Sequence, residues 1–495
     1  MHLHHLLFFT IASSSVTHTT SATILPLHRR SPQPQSQSQS QSNQSNPAPH
    51  GTTFDVEVQF GTNNQSFQLQ VDTGSSDTWV VGTGYRCFDD KNVNTVLPQK
   101  ECRYAADKTY DVSSSTSFQR IQNRTFGAQY DGTGTGIATG IMGYEDVTIG
   151  GVTVRRQTVG VVDRTTKKGD GINSGILGLG YPVLTAAHAG GTDIEGIDTD
   201  TDNGTLLLND RIQYDPLFTS MYKQGLVKEP WFSLAIERPS ASNNTSTSTS
   251  TTAGPPGGGY LGLATLPPIP HDSTKWAKAP VEITSSIPPS WTNGTRQITL
   301  WTLSVEAVTW GNFTTANNHS NNSTLSSMAN STRFQAVVDS GNAFNVLPPE
   351  IVMQVHESFD PPATPTFDPV IGGYGVNCTA DPPTLGIQID GQMFYHRGED
   401  LVIRNPDGTC MSSLLPTGGG GPEEGVVALN FLGDPFLRNV VAVFDFGKDE
   451  MRFAARDDGG NSASTTGSSS ASSVGGPGSL VAVPVMLIVV MMTIS

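Results

Sequence analysis

The sequence predicts an all-β protein built of two similar lobes. From Thr53 onward, short runs such as FDVEVQFG, QSFQLQVD and VTIGGVTV alternate apolar and polar residues, and Gly, Asn and Asp separate them. This is the pattern of half-buried strands joined by turns. No long segment has helical periodicity. Two distant segments, residues 69–82 (LQVDTGSSDTWVVG) and 336–348 (AVVDSGNAFNVLP), resemble each other and indicate a repeated unit.

The length and charge of the chain limit its class. Its 495 residues are enough for more than one core-bearing lobe, and we place the lobes at residues 51–235 and 236–456. The net charge is −16. Phosphate binding requires clustered Lys and Arg, so this balance argues against a nucleic-acid partner.

The N-terminal 50 residues resemble targeting and processing segments. The apolar run at residues 6–12 (LLFFTIA) predicts a signal peptide over residues 1–20, although histidines replace the usual basic residues. A buried strand is the alternative. Residues 21–50 are predicted to be a pro-segment and disordered spacer, because the dibasic pair Arg29-Arg30 resembles a kexin-type processing site and a Gln/Ser-rich stretch follows it. Two solvated arginines are the alternative.

The C-terminal end resembles an attachment signal. Residues 457–479 form a spacer rich in Ser, Gly and Ala, and residues 480–495 (LVAVPVMLIVVMMTIS) are uninterrupted by charge. Small residues, a polar spacer and a terminal apolar tail are the arrangement of a GPI signal. A tail-anchored helix is the alternative. The sequence therefore predicts a secreted protein held by a lipid anchor at the plasma membrane or cell wall.

Glycosylation motifs agree with secretion. N-x-Ser/Thr triplets are dense in the polar, Asn/Ser/Thr-rich parts of the chain, which indicates a glycosylated surface. Nine of the positions at which such triplets begin are Asn64, Asn123, Asn203, Asn243, Asn293, Asn312, Asn322, Asn330 and Asn377.

The four cysteines predict disulfides, because an even number in a secreted chain favours them. Three pairings are open to four cysteines. Cys87 and Cys102 lie in the first half and Cys378 and Cys410 in the second, so local pairing would close one modest loop in each half. No CxxC or His-bearing cluster suggests a metal, and we expect neither a metal nor a cofactor.

The two similar segments each carry an aspartate at the end of an apolar run. Asp72 begins Asp-Thr-Gly and Asp339 begins Asp-Ser-Gly, 267 residues later. Glycine permits a tight turn and a close backbone approach, which would present each carboxylate at a strand end. One such motif is weak evidence, but two copies predict that each lobe contributes one carboxylate to a shared cleft.

Two adjacent carboxylates have a defined chemistry. They cannot both ionise cheaply, so the pair retains one proton over a range of pH. The ionised member can take a proton from a bound water while the protonated member polarises a carbonyl. The nucleophile elbow of serine hydrolases and the HExxH motif of zinc hydrolases are both missing from the sequence.

These motifs resemble those of the pepsin family of aspartic proteases, particularly fungal cell-surface members such as yapsins. VDTGSSDTWV is nearly the complete family signature, and the resemblance covers residues 51–456. Matching segments occur in family order at residues 129–151, 174–182 and 430–454. The resemblance implies a bilobal fold of two β-barrel-like lobes, a cleft between them, protein or peptide substrates and a monomer.

The resemblance also assigns roles to individual residues. Asp72 and Asp339 would be catalytic, with Thr73, Gly74, Ser75, Ser340, Gly341 and Asn342 in support. Tyr130 would be the flap tyrosine that closes over the substrate, and Trp79 would support its ring. Thr73 and Ser340 would form a reciprocal grip between lobes. Gly178 and Gly433 would lie beneath the catalytic loops, and the disulfides would be Cys87–Cys102 and Cys378–Cys410.

One departure from the family concerns Asn342 and Ala343, which stand where Thr and Ser are usual. An amide can still donate a hydrogen bond to Asp339, but a hydroxyl is lost. We expect a raised proton affinity of the pair and an upward shift of the acidic limb of the pH profile. The alternative is a weak or inactive member that serves as a surface binding or wall glycoprotein. No role is assigned to the histidines.

Overall fold

Strands dominate the part of the chain that the structure describes. The computed structural model describes residues 22–29, 54–89, 92, 94–105, 107–130, 136–190, 211–238, 257–311, 328–365, 373–405, 408–418 and 427–457. The predicted signal peptide at residues 1–20, residues 30–50 of the predicted pro-segment and spacer, the apolar tail at residues 480–495 and the sequons at Asn203, Asn243, Asn312 and Asn322 lie outside these residues. Among the described residues, no helix combines the length and apolar character needed to cross a bilayer.

The first half of the chain forms strands β1 to β13. Their bounds are β1 Thr23–Arg29, β2 Phe54–Phe60, β3 Gln65–Asp72, β4 Thr78–Phe88, β5 Val96–Leu97, β6 Gln119–Tyr130, β7 Gly136–Ile149, β8 Val152–Thr165, β9 Gly175–Gly178, β10 Ala187–Ala189, β11 Arg211–Ile212, β12 Trp231–Ile236 and β13 Gly257–Leu263.

The second half continues in shorter strands. They are β14 Ala277–Pro280, β15 Thr302–Val305, β16 Ala307–Gly311, β17 Met328–Asn330, β18 Phe334–Val338, β19 Asn345–Leu347, β20 Thr364–Pro365, β21 Tyr374–Gly375, β22 Thr384–Ile389, β23 Gln392–His396, β24 Val402–Arg404, β25 Cys410–Ser412, β26 Leu414–Pro416, β27 Phe431–Leu432, β28 Val440–Asp445 and β29 Glu450–Ala455. The described α-helices are α1 Gln99–Cys102, α2 Leu217–Lys223, α3 Pro349–Glu357 and α4 Asp434–Leu437.

The first lobe is organised around a closed ring of strands. The order β2-β3-β9-β4-β8-β7 returns to its start because β7 also pairs with β2, and β6, β10 and β11 extend the sheet beyond β7. Alternating side chains of these strands fill the interior, as in β2, where Phe54, Val56, Val58 and Phe60 are buried. The second lobe contains three separate sheets of four or five strands rather than one ring within the described residues.

A further part of the large sheet joins segments from both ends of the chain. Its order is β1-β13-β12-β28-β29-β14. β12 spans the predicted lobe boundary at residues 235 and 236 and pairs with both β13 and β28. β1 lies within the predicted pro-segment and pairs with β13 and β2, and Arg29 of the dibasic pair is its last residue.

The two lobes repeat one small arrangement of strands. In the first lobe, β9 runs parallel to β3 and antiparallel to β4. In the second lobe, β27 runs parallel to β18 and antiparallel to β19. Each arrangement encloses one of the two similar sequence segments, so the two aspartate-bearing turns have matching surroundings.

The disulfides lie within the lobes. Cys87 of β4 is bonded to Cys102 of α1, and Cys378 is bonded to Cys410 of β25. The first bond closes a loop of 15 residues and the second one of 32 residues. Each therefore fastens a surface excursion to its own lobe.

Candidate active site

Each aspartate lies where an inner strand ends. Asp72 is the last residue of β3, and its register partner on parallel β9 is Gly178. Asp339 follows β18 directly, and its N–H donates to the carbonyl of Leu432 on β27 at 3.1 Å. The apolar residues that precede each aspartate, such as Val71 and Val338, are buried. Asp72 is 6% exposed, and Asp339 is partly buried.

The glycines of the two motifs allow the turns to face each other closely. A Cβ atom on Gly74 would lie 2.5 Å from Cγ of Asp339, and one on Gly341 would lie 2.5 Å from Oδ1 of Asp72. Such separations are well inside van der Waals contact, so a side chain at either position would displace the opposite carboxyl. The structure therefore brings together the two aspartates that lie 267 residues apart in the sequence.

Thr73 and Ser340 connect the two turns by four hydrogen bonds. The Thr73 N–H donates to Ser340 Oγ at 3.1 Å, and the Ser340 N–H donates to Thr73 Oγ1 at 2.9 Å. Each hydroxyl then donates across to the opposite strand, Thr73 to the carbonyl of Val338 at 2.8 Å and Ser340 to that of Val71 at 2.9 Å. This reciprocal arrangement fixes the spacing of the turns.

The Asp72 carboxyl accepts two short-range hydrogen bonds. Oδ1 accepts the N–H of Gly74 at 2.8 Å, and Oδ2 accepts the hydroxyl of Ser75 at 2.5 Å. Donors directed at a carboxylate stabilise its ionised form. The geometry therefore favours negative charge on Asp72.

The Asp339 carboxyl has different surroundings. Its Oδ1 accepts the N–H of Gly341 at 2.8 Å. The side chain of Asn342 turns back on its own loop, where Oδ1 accepts the N–H of Phe344 at 3.0 Å. Burial, followed by the neighbouring charge of Asp72, raises the pKa of Asp339 well above its ordinary value. The geometry therefore favours a proton on Asp339.

The predicted flap residues are in contact. Tyr130 is the last residue of β6, and its hydroxyl accepts the indole N–H of Trp79 at 2.6 Å. The two rings lie 6.2 Å apart between centroids, and Nζ of Lys167 lies 4.7 Å from the Tyr130 ring centroid. The indole thus holds the tyrosine at the loop end of the β6–β7 hairpin, where Tyr130 pairs with Gly136.

A buried carboxyl that was not predicted from the sequence, Asp77, lies behind the first turn. Asp77 accepts the N–H of Ala186 at 2.8 Å and the hydroxyl of Tyr214. Burial raises the pKa of Asp77 to about 6, although both hydrogen bonds and the nearby cation of Arg211 favour the ionised form. The position of Asp77 within the VDTGSSDTWV motif was a signal, but its partners come from a segment more than 100 residues away.

The two further predicted glycines lie beneath the turns. Gly178 packs on the backbone of Ser76 and Asp77, and Gly433 packs on the carbonyl oxygens of Asn342 and Phe344. A Cβ atom would collide with the backbone at either position. Among the described residues, no group of three or more His, Cys, Asp and Glu side chains has the geometry of a metal site.

Two β lobes that each direct one Asp-Thr/Ser-Gly turn into a shared site define an aspartic protease. The chain belongs to the eukaryotic aspartyl protease family, whose sequence profile matches residues 53–250 and 291–456. It is accordingly an aspartic endopeptidase that acts on peptide substrates.

Individual relatives agree with this family. The chain is 32% identical to a probable aspartic-type endopeptidase of Aspergillus fumigatus over 411 residues, which are 82% of this chain and 79% of the relative. It is 25% identical to rhizopuspepsin of Rhizopus chinensis, covering 80% of this chain and 77% of the relative. The crystal structure of an aspartic proteinase from Irpex lacteus matches the fold, with a TM-score of 0.54 at 19% identity over 88% of this chain and 98% of that one.

Proposed function

We propose that Asp72 and Asp339 hydrolyse peptide bonds by activating one water between them. The observation that carries this proposal is the pair of facing turns. Two hydrogen-bond donors are directed at the carboxyl of Asp72, and the pKa of Asp339 is raised. Ionised Asp72 takes a proton from the water, whose oxygen bonds to the peptide carbonyl carbon. Protonated Asp339 gives its proton to the carbonyl oxygen.

The tetrahedral intermediate then breaks at its C–N bond. Asp72 passes the proton it took to the leaving nitrogen, and Asp339 recovers a proton from a hydroxyl of the intermediate as the carbonyl reforms. The pair returns to its starting state with one proton. Tyr130, held by Trp79, lies at the loop end of the hairpin that would cover the substrate.

Digestion of a peptide library by the purified enzyme, truncated before the apolar tail, tests this function. We expect internal cleavage of peptides somewhere between about pH 3 and about pH 7. Failure to cleave any peptide over that range, by a protein that is folded, would favour the alternative of a non-catalytic surface glycoprotein. The cleavage sites would also define the substrate preference.

We further propose that the enzyme is secreted and glycosylated. The sequon residues Asn123, Asn293 and Asn377 are all exposed, so glycans would meet no steric barrier there. The two disulfides suit an oxidising compartment. Glycosidase treatment of the secreted protein should lower its apparent mass, and an unchanged mass would contradict glycosylation.

A GPI anchor and a monomeric state complete the proposal. The terminal apolar run at residues 480–495 supports the anchor, and deletion of that run should release the enzyme into the medium. Retention of the intact form after phosphatidylinositol-specific phospholipase treatment would favour a spanning tail. A monomer suffices because one chain supplies both aspartates, and light scattering of the truncated enzyme tests it.

A further inference from the structure

A buried histidine lies directly behind the loop of the second aspartate. His396, at the end of β23, is 2% exposed, and Asn345, at the start of β19, is fully buried. The Asn345 Nδ2 atom lies 3.0 Å from Nε2 of His396. On its other side, Oδ1 of Asn345 accepts the N–H of Gly433 at 3.0 Å. The asparagine therefore connects the imidazole to Gly433.

The backbone groups at the two ends of this chain of contacts, the N–H of Gly433 and the carbonyl of Leu385, determine which atoms between them donate and which accept. A backbone N–H can only donate, so the Asn345 oxygen faces Gly433 and the amide NH₂ faces His396. Nδ1 of His396 lies 3.2 Å from the carbonyl of Leu385, which can only accept. Nδ1 therefore carries the hydrogen and Nε2 accepts from Asn345. The arrangement requires a neutral imidazole.

Gly433 transmits the position of Asn345 to the catalytic loop. It packs on the carbonyl oxygens of Asn342 and Phe344, and the carbonyl of the preceding residue, Leu432, accepts the N–H of Asp339. The N–H of Asp434, the residue after Gly433, donates to the carbonyl of Asn342 at 2.9 Å. Displacement of Gly433 would therefore move the loop that carries the second aspartate.

We propose that His396 is a positioning residue that holds the Asp339 loop through Asn345, and that protonation of its imidazole sets the acid limit of the enzyme. This inference rests on the proposed function. An imidazolium would direct a second donor at the Asn345 NH₂. Rotation of the amide would relieve that conflict but place the NH₂ against the N–H of Gly433. Either way, one contact behind the catalytic loop is lost.

The surroundings of His396 determine where protonation occurs. Burial lowers its pKa from about 6.5 to about 4, although the nearby carboxylate of Asp400 raises it. Arg238 acts in the opposite direction, and this guanidinium is paired with Asp400 at 2.9 Å. The uncharged ring of Phe436 also lies beside the imidazole, at 6.1 Å between centroids.

The sign of the pH dependence follows from this direction. The unfolded chain protonates the imidazole near pH 6.5 and the folded chain only near pH 4, so folding opposes proton binding between these values. The stability due to neutral His396 is thus lost as the pH falls through this window. Below about pH 4, most folded molecules carry the imidazolium and lose the contact.

A pair of glutamine substitutions tests the proposal. His396→Gln places an amide oxygen near Nε2 that can accept from Asn345 but cannot titrate. The matched control is His356→Gln, because His356 is also buried with a pKa lowered to about 3, but it contacts Ser412 instead of Asn345. For the wild type and both variants, kcat/KM at pH 3 is divided by kcat/KM at pH 5. Proton uptake by the two aspartates then changes this ratio equally in all three proteins.

We expect this ratio to be up to about tenfold higher in His396→Gln than in the wild type, because one pH unit below its pKa a group is about tenfold more protonated than neutral. His356→Gln should leave the ratio near the wild-type value. Equal ratios for His396→Gln and the wild type, or the same rise in both variants, would overturn the proposal.

Hydrogen exchange of the unmodified enzyme is a second test that needs neither activity nor a folded variant. After correction for intrinsic rates, the Gly433 amide should lose protection between pH 5 and pH 3, whereas β22 should not. Unchanged protection of Gly433 would overturn the proposal even if hydrolysis is normal. Loss of protection in a protein that cleaves no peptide would retain the positioning role and count against the proposed function alone.

Discussion

Ser75 and Asn342 occupy matching positions after the two aspartates, but their side chains have different partners. Ser75 donates to its aspartate, whereas Asn342 accepts the N–H of Phe344. The sequence could show that a hydroxyl is replaced by an amide. It could not show which way the amide points, because that depends on the backbone of the turn. The local difference makes the two carboxyls unequal.

This difference changes which limb of the pH profile position 342 controls. From the sequence we expected the acidic limb to shift. In the structure, the donors favour charge on Asp72 and the raised pKa favours a proton on Asp339. The alkaline limb then reports loss of the proton that the pair retains, which the geometry places on Asp339.

Asn342→Thr should therefore move the alkaline limb to lower pH. A threonine hydroxyl could donate to ionised Asp339, and a hydrogen bond to a charged group contributes about 1.5 kcal/mol, equivalent to about one pH unit. Asn342→Val is the matched control, since it has the shape of threonine without the hydroxyl. The measurement is kcat/KM against pH. Coincident profiles for the threonine and valine variants would show that the hydroxyl does not reach the carboxyl.

At the level of elements, the strand β1 was not predicted from the sequence. The dibasic pair and the polar stretch after it led us to place residues 21–50 in a pro-segment and spacer. Within that range, Leu25 and Leu27 point into the core while Ile24 is 42% exposed. A run of seven residues containing proline gives only a weak strand signal, and its partner β13 is more than 200 residues away.

Leu27→Ser should destabilise the folded enzyme by about 3 kcal/mol, because it removes a fully buried side chain from the core. Ile24→Ser, on the exposed face of the same strand, is the control and should cost well under 1 kcal/mol. The measurement is the free energy of unfolding in denaturant for both variants and the wild type, on protein that retains residues 22–29. Equal effects of the two substitutions would mean that β1 is not packed as described.

At the level of the whole molecule, the spacing of the two catalytic turns depends on the reciprocal hydrogen bonds of Thr73 and Ser340. The sequence contained enough to predict it, because both motifs carry a hydroxyl residue between Asp and Gly and the family resemblance supplies the geometry. The sequence predicted two similar lobes and did not show that the first forms a closed ring of strands while the second forms three separate sheets within the described residues. Long-range pairing of strands leaves no local trace in a single sequence.

Thr73→Val should weaken both stability and catalysis. It removes the hydroxyl that donates to Val338 and accepts from Ser340, leaving buried polar groups without their partner, at a cost of about 2 kcal/mol. Thr73→Ser retains the hydroxyl and should behave nearly as the wild type. Thermal unfolding and kcat are the measurements. A fully active and fully stable valine variant would show that these hydrogen bonds do not hold the two turns together.

Hydrolysis by this enzyme requires two aspartates from opposite lobes that act as one unit. The most direct measurement is the rate of peptide hydrolysis by Asp72→Asn and by Asp339→Asn, each checked for folding by its thermal transition. An amide keeps the shape of the carboxyl but cannot exchange the proton that the pair shares. We predict that each substitution alone lowers kcat by at least about a thousandfold in a folded protein. Substantial hydrolysis by both folded variants would contradict the central claim.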